Sequence, residues 1–217
     1  MKEINYSRFV FQPLNSNMYI FNEKDKALIV DPCQSEEAYK QLKEAGIKYL
    51  LIVLTHEHYD HVSGISYWKE RFPTFIVAHD LVKEKIENPH NRIAQGYMAT
   101  FIGKPREVIE NAKKQCRSVC SFVDISFNSE CELRWNNHSI KMINTPGHTK
   151  GSICISYDQS YLLTGDSLLQ NEAVITRFPS GSEKDYKEVT LPFFKSLHKE
   201  MIVLPGHGEA CKLGELL

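Results

Sequence analysis

Residues 55–61 read Thr-His-Glu-His-Tyr-Asp-His, directly after the apolar run Tyr49-Leu50-Leu51-Ile52-Val53-Leu54. A short continuous apolar run of this kind reads as a buried strand. Four side chains able to ligate a metal (His56, His58, Asp60 and His61) therefore stand at its C-terminal end. Packing gives no reason for so many imidazoles and carboxylates there. The motif points to a metal site, and to a fold that must bring further ligands to the same edge.

Three such ligands follow in the same local setting. His148 lies in Thr145-Pro146-Gly147-His148-Thr149, after the strand-like stretch 139–143. Asp166 lies in Thr164-Gly165-Asp166 after 161–164, and His207 in Pro205-Gly206-His207-Gly208 after 201–204. Glycine and proline beside each ligand favour tight turns that aim side chains back toward one point. Imidazole and carboxylate donors suit zinc first, with iron or manganese as alternatives. Five histidines and two aspartates exceed the needs of one tetrahedral ion and suffice for two. In extended backbone His56 and His58 point the same way and would hold one ion with His148. Asp60 and His61 would hold the second with His207, and Asp166 would bridge.

The rest of the chain reads as an α/β protein. Strand-like runs at 9–11, 18–21 and 27–30 precede a helix expected over 35–45, stopped by Gly46. A short helix near 65–71 and a strand at 74–78 follow. Pro89 and Pro105 divide residues 80–121 into helical pieces, in which Val108, Ala112, Cys116 and Cys120 recur at helical spacing. Strands are expected again at 122–127, 132–135, 139–143, 152–157 and 161–164, then a helix over 183–197 and a strand at 201–204. Two runs of strands with interspersed helices predict two sheets packed face to face with helices outside. The expected organisation is one domain over 1–217 with a helical insertion at 80–121.

Lys and Arg number 26 against 27 Asp and Glu, so nothing marks a dedicated nucleic-acid or membrane surface, although a local basic patch remains open. No apolar run approaches the roughly 20 residues that span a bilayer. The first residues lack a signal-peptide core, and the six cysteines form no CxxC pair. Reduced thiols and a cytoplasmic location are expected. Cys116 and Cys120 read as a thiol pair on one apolar helix face, and Cys33 as an exposed thiol. His79, His90, His138 and His198 read as ordinary surface or structural histidines. Asp31, before Pro32, either shapes a turn or bonds beneath the metal loop. Tyr97, Met98 and Phe101 either line a lid or pack into the core.

The pattern His56-x-His58-x-Asp60-His61, followed by His148, Asp166 and His207, resembles the metallo-β-lactamase superfamily. Asp31-Pro32, Pro146-Gly147-His148-Thr149, Gly165-Asp166 and Pro205-Gly206-His207-Gly208 resemble its glyoxalase II-like branch most. The resemblance implies an αββα four-layer sandwich with two divalent ions, most simply zinc, at one edge. It also implies hydrolysis of a small thioester or activated ester by hydroxide generated at the metals, with Asp60 orienting it.

Three features depart from glyoxalase II. The sequence ends ten residues after His207, so the glutathione-binding helical domain is not expected. Residues 80–121 are longer than in a minimal relative. Arg177, in Thr176-Arg177-Phe178-Pro179, stands where short relatives carry an acidic residue, and is a candidate contact for an anionic substrate group. Other classes considered are phosphodiester hydrolysis, a mononuclear iron sulfur dioxygenase and a metal-binding protein without activity. Neutral composition weighs against a nucleic-acid substrate.

Overall fold

A computed structural model describes residues 5–12, 14–170 and 172–217. Its first sheet has six strands in the order β1 (Tyr6–Phe11), β2 (Ser16–Glu23), β3 (Lys26–Val30), β4 (Tyr49–Val53), β5 (Thr74–His79) and β6 (Ile125–Phe127). The first three pair antiparallel, and β3 to β6 run parallel. The second sheet is ordered β12 (Cys211–Lys212), β11 (Ile202–Pro205), β10 (Tyr161–Gly165), β9 (Ile153–Tyr157), β8 (His138–Asn144) and β7 (Glu130–Trp135). Among the described residues only β10 and β11 are parallel there.

Side-chain alternation builds the layers. In β2, β3 and β4 the residues Met18, Ile20, Ala27, Ile29, Leu50 and Ile52 face an outer core that includes Trp68, Val82 and Ile86. Their neighbours Tyr19, Phe21, Leu28, Val30 and Val53 face Ile140, Met142, Ile155, Tyr157 and Leu204 of the second sheet. A third core sets Cys154, Leu162 and Val203 against Phe194 and Leu213. Burial on both faces is why these strands read as continuous apolar runs rather than alternating ones. The result is the αββα sandwich.

The helix α1 (Glu36–Glu44) starts at Ser35, whose hydroxyl accepts from Ala38 N at 3.1 Å, and ends before Gly46 at φ 72°. The short helices α2 (Tyr59–Val62) and α3 (Ile65–Lys69) follow β4. Between β5 and β6 lie α4 (Asp80–Glu87), α5 (Ile93–Ala99) and α6 (Arg106–Gln115), separated near Pro89 and Pro105. Tyr97 and Phe101 are buried in the outer core, where Tyr97 packs on Tyr59 with ring centroids 4.3 Å apart.

Four local expectations need correction. α6 ends at Gln115 and Cys116 takes extended backbone, so Cys116 and Cys120 do not share a helix face. Cys33 is buried rather than exposed. Phe122 is 63% exposed and the strand begins only at Ile125. The helix expected over 183–197 is α7 (Glu183–Asp185), a π-helical turn at Tyr186–Thr190 and α8 (Leu191–Ser196). Pro192 has no N–H to give Glu188, and Leu191 N donates five residues back to Tyr186 O. No helix among the described residues is long and apolar enough to cross a membrane.

Candidate metal centre

The C-terminal ends of β4, β8, β10 and β11 gather at one edge of the sandwich, and the four loops that carry the candidate ligands meet there. Gly206 N donates to Gly165 O at 2.8 Å, joining the His207 and Asp166 loops. Ile153 N donates to Thr55 O at 2.9 Å, tying the second sheet to the histidine motif. The first hairpin holds the His207 loop. Asn17 Nδ2 donates to Pro205 O and Gly208 O, each at 2.9 Å, and Arg8 reaches Gly208 O at 2.7 Å.

The glycines beside the ligands do more than turn the chain. A Cβ on Gly206 would strike Asp166 Oδ1 and come within 2.8 Å of the Gly165 carbonyl carbon. Gly147, at φ 149°, lies where a Cβ would sit 2.6 Å from Tyr186 Cβ.

Asp31 orders the floor of the site. Its carboxylate accepts from Thr55 N at 2.7 Å, Thr55 Oγ1 at 2.6 Å and His61 Nδ1 at 2.8 Å. Having given its only proton to Asp31, the Thr55 hydroxyl can only accept from His56 Nδ1, 3.0 Å away. His148 Nδ1 likewise donates to Ile175 O at 2.7 Å. The hydrogen bonds thus leave Nε2 of His56, His61 and His148 as the inward lone pairs. Asp31 is therefore both a turn residue, at φ 55°, and a partner beneath the metal loop.

Those inward atoms converge. His56, His58, His148 and Asp166 form one group of donors within 4.8 Å of one another, and Asp60, His61 and His207 form another. A third grouping, of Asp31, His56 and His61, overlaps both, but Asp31 is already committed to hydrogen bonds. Asp166 Oδ2 is 3.3 Å from His148 Nε2 and 4.0 Å from His56 Nε2. Its Oδ1 is 3.4 Å from His61 Nε2 and 3.5 Å from His207 Nε2. Asp60 Oδ2 lies 3.4 Å from His61 Nε2 and 3.6 Å from His207 Nε2. Donors around a tetrahedral zinc, at about 2.0–2.1 Å from the ion, stand about 3.3 Å apart.

The atoms His56 Nε2, His61 Nε2 and Asp166 Oδ1 are buried without a hydrogen-bond partner. Orphaned buried polar atoms cost stability unless something satisfies them, and a cation at this point does so. The donor set fits divalent metal ions.

Electrostatics agree with a cation site. Burial opposes charge on Asp166, but His61, His207, His56 and His148 hold its carboxyl well below the usual range. Burial also opposes ionisation of Asp60, and His61 and His207 overcome it. Burial, with His148 beside it, lowers His58 to about 4. His61 goes the other way, because Asp60, Asp166 and Asp31 outweigh its burial.

One element escapes sequence inspection. Glu57, between the first two histidines, is buried. It pairs with Lys85 of α4, accepts from Thr149 Oγ1 at 2.9 Å and accepts from Ser180 Oγ at 3.1 Å. That knot joins the motif loop, the His148 loop and segment 172–182. Phe178 of the segment sets its ring 5.5 Å from His58 and 6.0 Å from His148. Arg177, next to it, is exposed. His79 is buried and caps α4, His138 pairs with Asp158 at 2.6 Å, and His90 and His198 are exposed. None of these four belongs to a donor group.

A family profile described as the Metallo-beta-lactamase superfamily matches residues 11–207. The chain belongs to the metallo-beta-lactamase superfamily. Probable metallo-hydrolase YqgX of Bacillus subtilis (strain 168) is 25% identical over 206 residues, 93% of this chain and 86% of that protein. Hydroxyacylglutathione hydrolase GloC of Haemophilus influenzae is 26% identical over 200 residues, 90% of this chain and 86% of that protein. The solved structure of TTHA1623 in a di-iron-bound form superposes with a TM-score of 0.74 at 22% identity, covering 96% and 95% of the two chains. That likeness shows the fold. Membership of the superfamily and this His/Asp cluster together imply that the chain binds divalent metal.

Proposed function

We propose that the chain is a dinuclear metal-dependent hydrolase of small thioesters or related activated acyl esters. The observation that carries the dinuclear part is Asp166, whose two oxygens face different histidine sets at 3.3–4.0 Å and 3.4–3.5 Å. His56, His58 and His148 would hold one ion, Asp60, His61 and His207 the second, and Asp166 both. The hydroxyacylglutathione hydrolase GloC and the di-iron-bound form of TTHA1623 support this reading. Two ions so held supply a water with its pKa lowered toward about 7 and positive charge for a developing oxyanion.

The chain's own residues supply the rest. Asp60 is ionised at neutral pH and can accept a proton-bearing water and orient it. Phe178, edge-on to His58 and His148, shields their outer side from water. A thiolate leaves without protonation, so a thioester asks for no separate general acid. Arg177, exposed on the same segment, would meet an anionic group on the substrate. A mononuclear iron dioxygenase would leave Asp60 and His207 without a task.

The test is a panel of thioesters, lactones, phosphodiesters and persulfides offered to metal-loaded protein. Thioester turnover that a chelator abolishes and zinc restores is expected. Oxygen-dependent persulfide consumption without thioester turnover would overturn the reading. Arg177→Ala is expected to raise KM for anionic thioesters more than for neutral ones; equal effects would remove that role.

A further inference from the structure

A second concave feature lies away from the His/Asp cluster, between the end of α4 and the end of α6. It is a cavity of about 400 Å3 whose wall includes His90, Asn91, Arg92, Gln95, Arg117 and Ser118. That volume falls within the range of about 300–1,000 Å3 typical of small-molecule sites. None of the nine residues lining it is acidic. Residues 88–118 carry six Lys and Arg against two Glu, in a chain whose net charge is −1. Two of the lining residues, Arg92 and Arg117, carry permanent positive charge.

A basic surface is ordinarily just solvated. Here both guanidiniums keep free donors and the rim is built. Among the described residues the Arg92 side chain has no hydrogen bond or ion pair, and neither does the His90 ring. Arg117 commits one terminal nitrogen, Nη1, to Lys114 O at 2.8 Å and Cys116 O at 3.0 Å. Its Nε and other terminal nitrogen remain to donate. Asn91 fixes the rim: Nδ2 donates to Asn88 O at 2.8 Å and Val119 O at 2.7 Å, while Oδ1 accepts from Ile93 N at 3.2 Å. The wall is also bonded to the histidine motif. Arg117 N donates to Tyr59 Oη at 2.8 Å, and that hydroxyl donates to Gln115 O at 3.2 Å.

Planar guanidiniums with free donors, around a concavity without a carboxylate, suit a tetrahedral oxyanion. We propose that this cavity binds the phosphate group of a small molecule. Phosphate binding there, read by NMR, does not depend on which bond the metal centre cleaves.

The probe is inorganic phosphate, titrated into metal-loaded, 15N-labelled protein and followed by NMR. Saturable shifts of the Arg92 and Arg117 signals, backbone and Nε, are expected. Arg92→Glu, a change at an exposed side chain without partners, should weaken that binding at least about tenfold. Arg117→Ala should weaken it too, with Arg92→Glu guarding against a folding effect at the end of α6. Shifts confined to the metal loops, no saturation, or equal affinity in Arg92→Glu would overturn the proposal. A further arm separates the sources of the phosphate. If it is the remote end of a substrate, Arg92→Glu raises KM for a phosphate-bearing thioester more than for its dephosphorylated counterpart. If it belongs to a separate ligand, the two KM values move together while the NMR result stands.

Discussion

Replacing Lys85 by Met isolates the buried Glu57 carboxylate and shows what the knot around it is worth. The Glu57 side chain is 6% exposed and that of Lys85 41% exposed. Burial by itself would push the Glu57 carboxyl up, and the attraction of Lys85 reverses this to leave it below its ordinary value. Removing one partner of a fully buried pair costs about 3–5 kcal/mol. Water screens the half-exposed ammonium, and Thr149 and Ser180 still donate to Glu57. The expected loss is thus about 1–2 kcal/mol. The assay is urea unfolding of chelator-treated protein in a double-mutant cycle with Glu57→Gln. A coupling of about 1 kcal/mol between the two sites is expected, and one within about 0.3 kcal/mol of zero would refute the knot. The sign with pH follows. Because the folded Glu57 titrates below its unfolded value of about 4.3, its contribution is complete above that pH and is lost as acid takes the protein through the lower folded value. Between about pH 5 and 3 the wild type should therefore lose more stability than Glu57→Gln. Parallel curves would contradict the assignment.

Two further substitutions probe the floor of the site. Asn tolerates the left-handed backbone of Asp31, so Asp31→Asn should fold while depriving His61 Nδ1 of its charged acceptor. Zinc affinity measured by competition with a chromophoric chelator should fall about 10–100-fold, and unchanged affinity would remove Asp31 from the metal loop. Gly206→Ala drives a methyl group against Asp166 Oδ1. Metal content by elemental analysis should fall while the far-ultraviolet circular dichroism holds, and full metal loading would show that the loop simply gives way.

The meeting of the candidate ligands at one edge was legible because they sit in loops that directly follow apolar strands. The runs 49–54, 161–164 and 201–204 mark their strands, and strand ends that share an edge bring their loops together. Helix α1 was legible through Gly46, whose left-handed backbone stops the helix locally. What stayed hidden depends on distant partners. Glu57 carries no signal of its own in the sequence, because its partner Lys85 lies on another helix. Asp31 kept two readings open because its bonds to Thr55 and His61 span 24 and 30 residues. The apparent helical spacing through Cys116 and Cys120 misled because periodicity carries no stop signal there, and the chain turns extended at Cys116. Pro192 offered a signal for the break in the 183–197 helix: a proline inside a helical run removes one donor.

The central claim is that one carboxylate joins two metal positions. Anomalous X-ray diffraction at the zinc edge, on crystals of the wild type and of Asp166→Ala, addresses it directly. The wild type should show two peaks, one among His56, His58 and His148 and one among Asp60, His61 and His207, with an Asp166 oxygen bound to each. Asp166→Ala should lose occupancy at both. A single peak in the wild type, or two full peaks after Asp166→Ala, would contradict the claim.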